Sequence, residues 1–508
     1  MAQRPVAINP TKPGGIAVGL VLVLTLGTLG AVAWRADWAR GLGAADWAAI
    51  RFTLTQALAS ATLSCLLAIP VARALARRQF FGRSVLVTLL GAPFLLPVIV
   101  AVLGLLAVFG RNGIVNNGLT FMGMPEVSIY GFHGVVLAHV FFNLPLVTRL
   151  ILQGWVAIPA ERFRLAASLG VPVGIVLERP MLRTVLAPAF LIVFLICLTS
   201  FAVALTLGGG PRATTVELAI YQALRFDFDL GRAAMLGIVQ FGLCLCAALL
   251  AWNLTAVNAL GVGLDRVVQR WDGGRVIDAV VISLASAFLL VPLAMVVLRG
   301  LPGLVELPVD IWRAALRSIM VAIVSAALCI SLALALALRG GWTSSVVGVL
   351  PLAASSLVVG TGLFLLVYPF VTPAKIALIV TAWVNAVLAL PFALRAIVPA
   401  VDKITTDYAR LGLMLNMSRW VWVSRIMVPR LRRPVGFAAG LAAALSMGDL
   451  GVITLFAGDA QETLPLAMYR LMGAYRMDAA AGAALLLLIL SFGLFWLCDR
   501  GGRDDVSL

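Results

Sequence analysis

The sequence predicts an all-α polytopic membrane protein with about twelve transmembrane helices arranged as two parallel repeats. Hydrophobic residues make up 62% of the 508-residue chain and charged residues only 12%. The mean hydropathy of +1.06 exceeds what a soluble domain needs for its core. Twelve apolar runs are long enough to cross a bilayer as helices. A similar polar loop occurs twice, 246 residues apart, and each copy lies between two apolar runs.

The apolar runs define the predicted spans. The first, 15–34, ends near Ala31-Val32-Ala33, which resembles a signal-peptide cleavage site. Because this run is close to transmembrane length and further spans follow it, we expect it to be retained as an anchor. The other runs lie near residues 52–74, 84–109, 131–155, 185–207, 232–253, 276–299, 313–338, 345–370, 374–397, 435–456 and 478–498.

Basic residues predict the orientation of the spans. The region from Arg395 to Arg433 alone has eight basic and two acidic residues, whereas the loops on the other side are more balanced. Since basic loops stay on the cytoplasmic side, these loops and both chain termini are predicted to be cytoplasmic. The other basic residues on this side include Arg73, Arg77, Arg78, Arg83, Arg266, Arg270 and Arg275.

Matching residues recur at a nearly constant offset. Arg164 and Arg410 are 246 residues apart, and Tyr221 and Tyr469 are 248 residues apart. Because six spans separate equivalent positions, both halves cross the membrane in the same direction. The predicted organisation is an N-terminal tail with the first helix and an external loop (1–51), a first transmembrane domain (52–254), a linker with the seventh helix (255–311), a second transmembrane domain (312–498) and a cytoplasmic tail (499–508).

The residue patterns of most other functions are missing. None of the three lysines follows a glycine, so the sequence has no phosphate-binding loop for ATP. Without paired carboxylates, a His-Glu-x-x-His motif or a serine elbow, we predict no enzyme active site, no metal site and no cofactor bound by this chain. The cysteines lie in apolar runs and both histidines fit helix packing. The net charge of +16 comes from arginines at the ends of spans, which argues against nucleic-acid binding.

We call residues 161–180 the first repeat loop and residues 405–429 the second repeat loop. In the first, Glu161 in an initial turn and a closing Gly170 predict a helix of about three turns. In the second, Thr405 or Thr406 is expected to cap a similar helix, with Asp407 in its first turn and Asn416 at its end. An alternative is that both are simple interfacial helices with basic flanks, but duplication in register argues against it.

The second repeat loop resembles the signature loop of ABC importer permeases, Glu-Ala-Ala-x3-Gly-x9-Ile-x-Leu-Pro. In both copies Arg replaces the acidic first residue, and the proline arrives three residues early in the first copy. The resemblance implies that these loops dock into a groove of a separate ATPase subunit. The matched residues are Arg410, Leu411, Gly412, Asn416, Ile426 and Pro429 in the second copy, and Arg164, Leu165, Ala166, Gly170 and Pro180 in the first.

A more specific resemblance covers residues 208–224, 232–235, 446–456 and 463–465. These segments are similar to the fused two-half permeases of bacterial thiamine and thiamine pyrophosphate importers; the alternative is the iron(III) permease of the same plan. The resemblance implies two type I ABC permease repeats in the bacterial inner membrane, with solute crossing between the halves by alternating access. It also implies a periplasmic solute-binding protein and two copies of an ATPase, which alone would use ATP.

Polar groups at membrane depth are costly unless they are satisfied or face a cavity, so they are candidates for a solute pathway. Asp449, the acidic candidate, lies in a late span directly after Ser446-Met447-Gly448. It either attracts a cationic solute such as thiamine or makes a hydrogen bond between helices. The candidates are Asn143, Ser200, Asn385, Ser446 and Asp449.

Two functions of other classes remain as alternatives. An ion-coupled secondary transporter can also have two parallel six-span halves, but it would leave the paired repeat loops unexplained. A channel would need a filter motif, and none is evident. A requirement for ATP rather than an ion gradient distinguishes an ABC importer from both.

Overall fold

A computed structural model of the protein describes residues 12–91, 95–208, 210, 213–252, 274–458 and 461–502. The first part of the predicted linker, residues 255–273 with Arg266 and Arg270, lies outside these residues, as does Gly209. In the part described, the regular structure is helical. The α-helices are α1 Lys12–Leu22, α2 Thr28–Arg35, α3 Ala44–Arg77, α4 Arg83–Leu89, α5 Val98–Phe109, α6 Ile114–Phe121, α7 Phe132–Val156, α8 Ala160–Ser168, α9 Arg179–Leu198, α10 Phe201–Leu207, α11 Val216–Arg225, α12 Leu230–Trp252, α13 Arg275–Val305, α14 Val309–Arg339, α15 Gly341–Val349, α16 Ser356–Val367, α17 Pro373–Met414, α18 Arg419–Val421, α19 Val428–Met447, α20 Gly451–Phe456, α21 Leu464–Gly473 and α22 Met477–Gly502.

The predicted all-α polytopic fold is confirmed. Among the described residues, eleven helical segments are long and apolar enough to cross a membrane. The predicted span 345–370 is instead divided, because Leu350–Leu352 form a 3₁₀ turn around Pro351. Ser355 then caps α16, and its hydroxyl accepts a hydrogen bond from the Val358 N–H at 3.1 Å. Proline cannot donate to the helical ladder, which explains why one continuous helix does not form.

Helix breaks recur at equivalent places in the two repeats. In the first repeat, the span predicted at 84–109 is divided, and α5 starts only after Pro97. A second break separates α9 from α10 at Ser200, and its counterpart separates α19 from α20 around Asp449. Discontinuous helices free backbone polar groups at membrane depth, and transporters place solute sites at such breaks.

The chain divides into two compact units. The first comprises Met1–Gly41, Ile220–Phe241 and Gly303–Leu508. Within it, α1 packs against α14 and α15, and α2 packs against α16. Gly362 permits the last contact, since a Cβ there would lie 2.4 Å from the carbonyl oxygen of Thr28. The first predicted span therefore packs against helices of the second repeat.

The second unit comprises Leu42–Ala219 and Gly242–Pro302. Its centre is formed by α3, α7 and α9, which pack against one another. The hydroxyl of Thr53 on α3 accepts a hydrogen bond from the N–H of Val216 at 2.9 Å, where α11 begins. In the first unit, the hydroxyl of Ser318 accepts a hydrogen bond from the N–H of Leu464 at 2.8 Å in the same way. These paired caps reflect the internal repeat at the level of single hydrogen bonds.

Candidate functional site

The first repeat loop folds largely as the sequence predicts. The helix α8 begins after Pro159, and Glu161 lies in its first turn. Gly170 closes it with a left-handed φ of +64°, and the N–H of Val171 donates to the carbonyl oxygen of Ala166 at 3.0 Å. This hydrogen bond satisfies a carbonyl that the end of the helix would otherwise leave free.

The helix α8 has one buried and one exposed face. Phe163 and Ala166 are buried. Arg164 is exposed, and Leu165 and Leu169 are 59% and 66% exposed. An exposed charged residue flanked by exposed leucines is suited to a protein partner.

The second repeat loop differs from the prediction at its start. The helix α17 continues from its apolar span to Met414, so the expected helix cap at Thr405 or Thr406 is wrong. Both hydroxyls donate to carbonyl oxygens four residues earlier, at 2.8 Å, which is compatible with a continuous helix. Asp407 is consequently an exposed residue inside α17 rather than in a first turn. Asn416 does end the loop helix, with a left-handed φ of +44°.

The end of α17 packs against the turn that follows it. A Cβ on Gly412 would lie 2.8 Å from the ring of Trp422, so this contact requires glycine. The guanidinium of Arg430 lies 4.2 Å from the centre of the Tyr408 ring, which adds a cation–π contact. Together these contacts fix the second repeat loop against the start of α19.

The second part of each loop is a π-helical turn that leads directly into the next long helix. In the first loop the turn is Gly174–Glu178 and in the second it is Trp422–Met427. Pro180 and Pro429 stand in the first turns of α9 and α19, where proline is tolerated. Ile426 is buried, whereas both prolines are exposed. The early proline of the first copy thus corresponds to a shorter connection.

Arg164 and Arg410 occupy matching exposed positions in the two loops. No ion pair or hydrogen bond engages either guanidinium in the part of the chain that is described. The side chain of Leu411, beside Arg410, is 43% exposed. Both loops therefore present an uncompensated positive charge next to a leucine.

Three of the predicted pathway residues come together in the first unit. The amide Nδ2 of Asn385 donates to the hydroxyl of Ser446 at 3.1 Å, and Ser446 donates to Ser325 at 3.0 Å. Ser325 in turn donates to the carbonyl oxygen of Ala382 at 3.0 Å. The Asn385 side chain also lies near the carboxyl of Asp449. Hydrogen bonds thus connect α14, α17 and α19 beside the break between α19 and α20.

Asp449 sits in that break. Its Oδ1 accepts a hydrogen bond from the N–H of Gly451 at 3.1 Å. Its Oδ2 is buried and has no hydrogen-bond partner among the described residues. A buried carboxylate oxygen without a hydrogen-bond partner is costly unless a proton, a water molecule or a cation satisfies it. This oxygen is therefore a candidate contact for a solute at the break.

The two candidates of the first repeat lie in a different kind of environment. The amide of Asn143 donates to the carbonyl oxygen of His139 at 2.8 Å and contacts the sulfur of Cys197 at 3.5 Å. Asn143 is buried, and these partners give it a packing role. Ser200 is half-buried at the break before α10. These residues do not reproduce the hydrogen-bonded group around Ser446.

Two further features were not expected from the sequence. Ser325 completes the network but lies in a run of alanine, serine and aliphatic residues that gives no local signal. Glu178, at the end of the first repeat loop, is buried and accepts a hydrogen bond from Arg73 of α3 at 2.9 Å. The only sequence signal for the second feature is an acid in a basic loop.

Comparison with known proteins identifies relatives along nearly the whole chain. It is 37% identical to the thiamine transport system permease protein ThiP of Salmonella typhimurium over 523 aligned positions, which cover 97% of each chain. It is 38% identical to proteins of the same name from Brucella abortus, with 99% of this chain and 98% of the relative covered, and from Escherichia coli K12, with 98% of both covered. No family model matches the chain.

Proposed function

Since the chain belongs to the family of thiamine transport system permease proteins, we propose that it is the inner-membrane permease of an ATP-driven importer that carries thiamine and its phosphates into the cytoplasm. The observation that carries this proposal is similarity over nearly the full length of both chains, which includes both repeat loops. Members of this family are transport permeases, so the chain itself performs translocation rather than a chemical reaction.

The orientation follows from the charge of the loops. Both repeat loops and both termini face the cytoplasm, because basic residues are retained on that side. The region 395–433, which contains the second repeat loop, supports this placement with eight basic and two acidic residues. A periplasmic solute-binding protein delivers the solute on the opposite side.

The repeat loops dock two copies of a separate ATPase, one on each loop. The exposed guanidinium groups of Arg164 and Arg410 lack ion-pair partners in the described chain and are free to meet acidic or carbonyl groups. The exposed Leu165 and Leu411 supply apolar area beside each charge. ATP is bound by the partner, and this chain carries no cofactor of its own.

Asp449 is the group that admits the cationic solute. Thiamine carries a fixed positive charge on its thiazolium ring, and the unpartnered Oδ2 is a buried negative group at a helix break. The network of Asn385 and Ser446 holds α17 and α19 together beside this oxygen. Charge attraction and a fixed position together favour a cation over neutral solutes of similar size.

Uptake by proteoliposomes tests the proposal. The chain is reconstituted with candidate ATPases and solute-binding proteins, and labelled thiamine is offered with ATP or with an ion gradient. We expect uptake that depends on ATP. Uptake driven by an ion gradient alone would identify a secondary transporter, and ATP-driven uptake of iron(III) without thiamine would identify the iron permease.

A further inference from the structure

Three arginines at the end of α3 bind acidic residues on two other segments of the second unit. We call Arg73, Arg77 and Arg78 the arginine cluster. The Nε of Arg73 donates to Oε1 of Glu178 at 2.9 Å. The Nε of Arg77 donates to Oδ2 of Asp278 at 2.9 Å, and Arg78 binds the same carboxylate.

These ion pairs are mostly withdrawn from water. The side chains of Glu178 and Asp278 are 9% and 4% exposed, and that of Arg77 is 7% exposed. Arg73 is the most accessible member, with 34% of its side chain exposed. Separating a buried carboxylate from its partner is costly, so the segments that carry these acids are expected to move together with α3.

Glu178 and Asp278 each lie where one segment of the chain joins a long helix. Glu178 ends the π-helical turn of the first repeat loop, immediately before α9. Asp278 lies in the first turn of α13, the helix within the predicted linker. The end of α3 therefore holds both the exit of the first repeat loop and the start of α13.

The second repeat loop lacks this arrangement. Ser424 stands 246 residues after Glu178, and its hydroxyl donates to the carbonyl oxygen of Trp420 within its own turn, at 2.7 Å. At the end of α14, Arg339 donates to the carbonyl oxygen of Gly14 at 3.3 Å. Within the described residues, the ionic connection to a repeat loop occurs only in the first repeat.

We propose that Arg73 and Glu178 are positioning residues that transmit movement of the first repeat loop to α3 and, through Arg77 and Asp278, to α13. The inference rests on the ATPase docking proposed above. When the docked ATPase displaces the first repeat loop, the ion pair makes α3 follow, whereas without it the turn before α9 absorbs the displacement. The second repeat loop moves its neighbours through packing and the Arg430–Tyr408 contact rather than through a buried ion pair.

The double variant Arg73→Gln with Glu178→Gln tests this role. It removes both charges, keeps the approximate size of each side chain and leaves no unpaired buried charge. We expect the ATPase to co-purify as with wild type while thiamine transported per ATP hydrolysed in liposomes falls about fivefold or more, the size of a typical coupling between two sites. Arg73→Lys keeps the positive charge and should retain most of this ratio. Ser424→Ala is the matched control in the second repeat and should not change it.

Several results would overturn the inference. Coupling in the double variant equal to wild type would show that the ion pair transmits nothing. Release of the ATPase, or failure to accumulate in the membrane, would make the pair a structural support of the loop. A loss in Arg73→Lys as large as in the double variant would exclude charge as the cause. If wild type itself binds no ATPase, the proposed function fails instead, which is a separate outcome.

Discussion

The contact between Gly412 and Trp422 gives a sharp test of the second repeat loop. In Gly412→Ala the added Cβ would lie 2.8 Å from two ring atoms of Trp422, closer than real Cβ contacts. The indole, which is half-buried, has to move, and it carries with it the turn that leads into α19. In the first repeat loop the equivalent position is already alanine, Ala166, and the residue equivalent to Trp422 is the smaller Val176.

Two opposing effects set the magnitude. Replacing glycine by alanine inside a helix stabilises it by about 0.5–1 kcal/mol. Overpacking by one methyl group against a ring costs roughly 1–3 kcal/mol. The net cost is therefore about 1 kcal/mol, which lowers the population of the docked turn about fivefold. Because the ring is half-buried, the effect is local displacement rather than loss of the fold.

The assay is co-purification of the ATPase with Gly412→Ala, together with transport per ATP hydrolysed. The double variant Gly412→Ala with Trp422→Leu removes the opposing ring and should recover part of the lost ATPase binding and coupling. A double-mutant cycle of these two substitutions should give a coupling energy of about 1 kcal/mol. Gly493→Ala, on α22, meets nothing within 4 Å and is the control for the glycine substitution itself. If Gly412→Ala binds and couples like wild type, the close contact has no role in docking.

Three further predictions concern charge and polarity. Asp449→Asn should weaken thiamine uptake at least about tenfold, by loss of one buried charge, with normal insertion and ATPase binding; wild-type uptake would return the residue to a structural role. Arg410→Glu should release or uncouple the ATPase, and the double variant with Arg164→Glu should do so more strongly. An acid-to-base change on the ATPase should restore part of the function. Normal co-purification of the ATPase with the double variant would make both arginines topology signals only. Ser446→Ala should lower the free energy of unfolding by about 1 kcal/mol, because it removes a hydrogen-bond partner of Asn385. An unchanged melting temperature would contradict this.

Composition predicted the fold class because the signal for membrane helices is additive along the chain. It did not predict the helix breaks, since a run such as 345–370 is as apolar across the break as beside it. Pro351 was the local indication there, but proline also occurs inside intact helices of this chain, as at Pro391. The break at Asp449 has no proline; Gly448 and Gly451 flank it, but glycine also occurs inside intact helices of this chain, as at Gly440.

The repeat loops were predictable because duplication marks them in a single sequence. The contacts that support them were not, since Arg73 and Glu178 are 105 residues apart and Arg77 and Asp278 are 201 residues apart. One sequence contains no information on which of many arginines meets which acid. The continuous helix through Thr405 was missed because threonine is equally suited to capping a helix and to bonding back within one.

The packing of α1 and α2 against α14, α15 and α16 has a consequence for biosynthesis. Synthesis of α1 and α2 is complete before residue 40 is added, whereas their partners lie between residues 309 and 367. At about 5–20 residues per second, the interval is roughly 15–60 seconds. During that time the anchor lacks its partners in the second repeat, although the start of α12, where the carbonyl oxygen of Gly231 accepts a hydrogen bond from the N–H of Asp37, is already made. Slowing translation within the first repeat should therefore lengthen its exposure to membrane proteases, and a chain truncated after the first repeat would leave it without its final contacts.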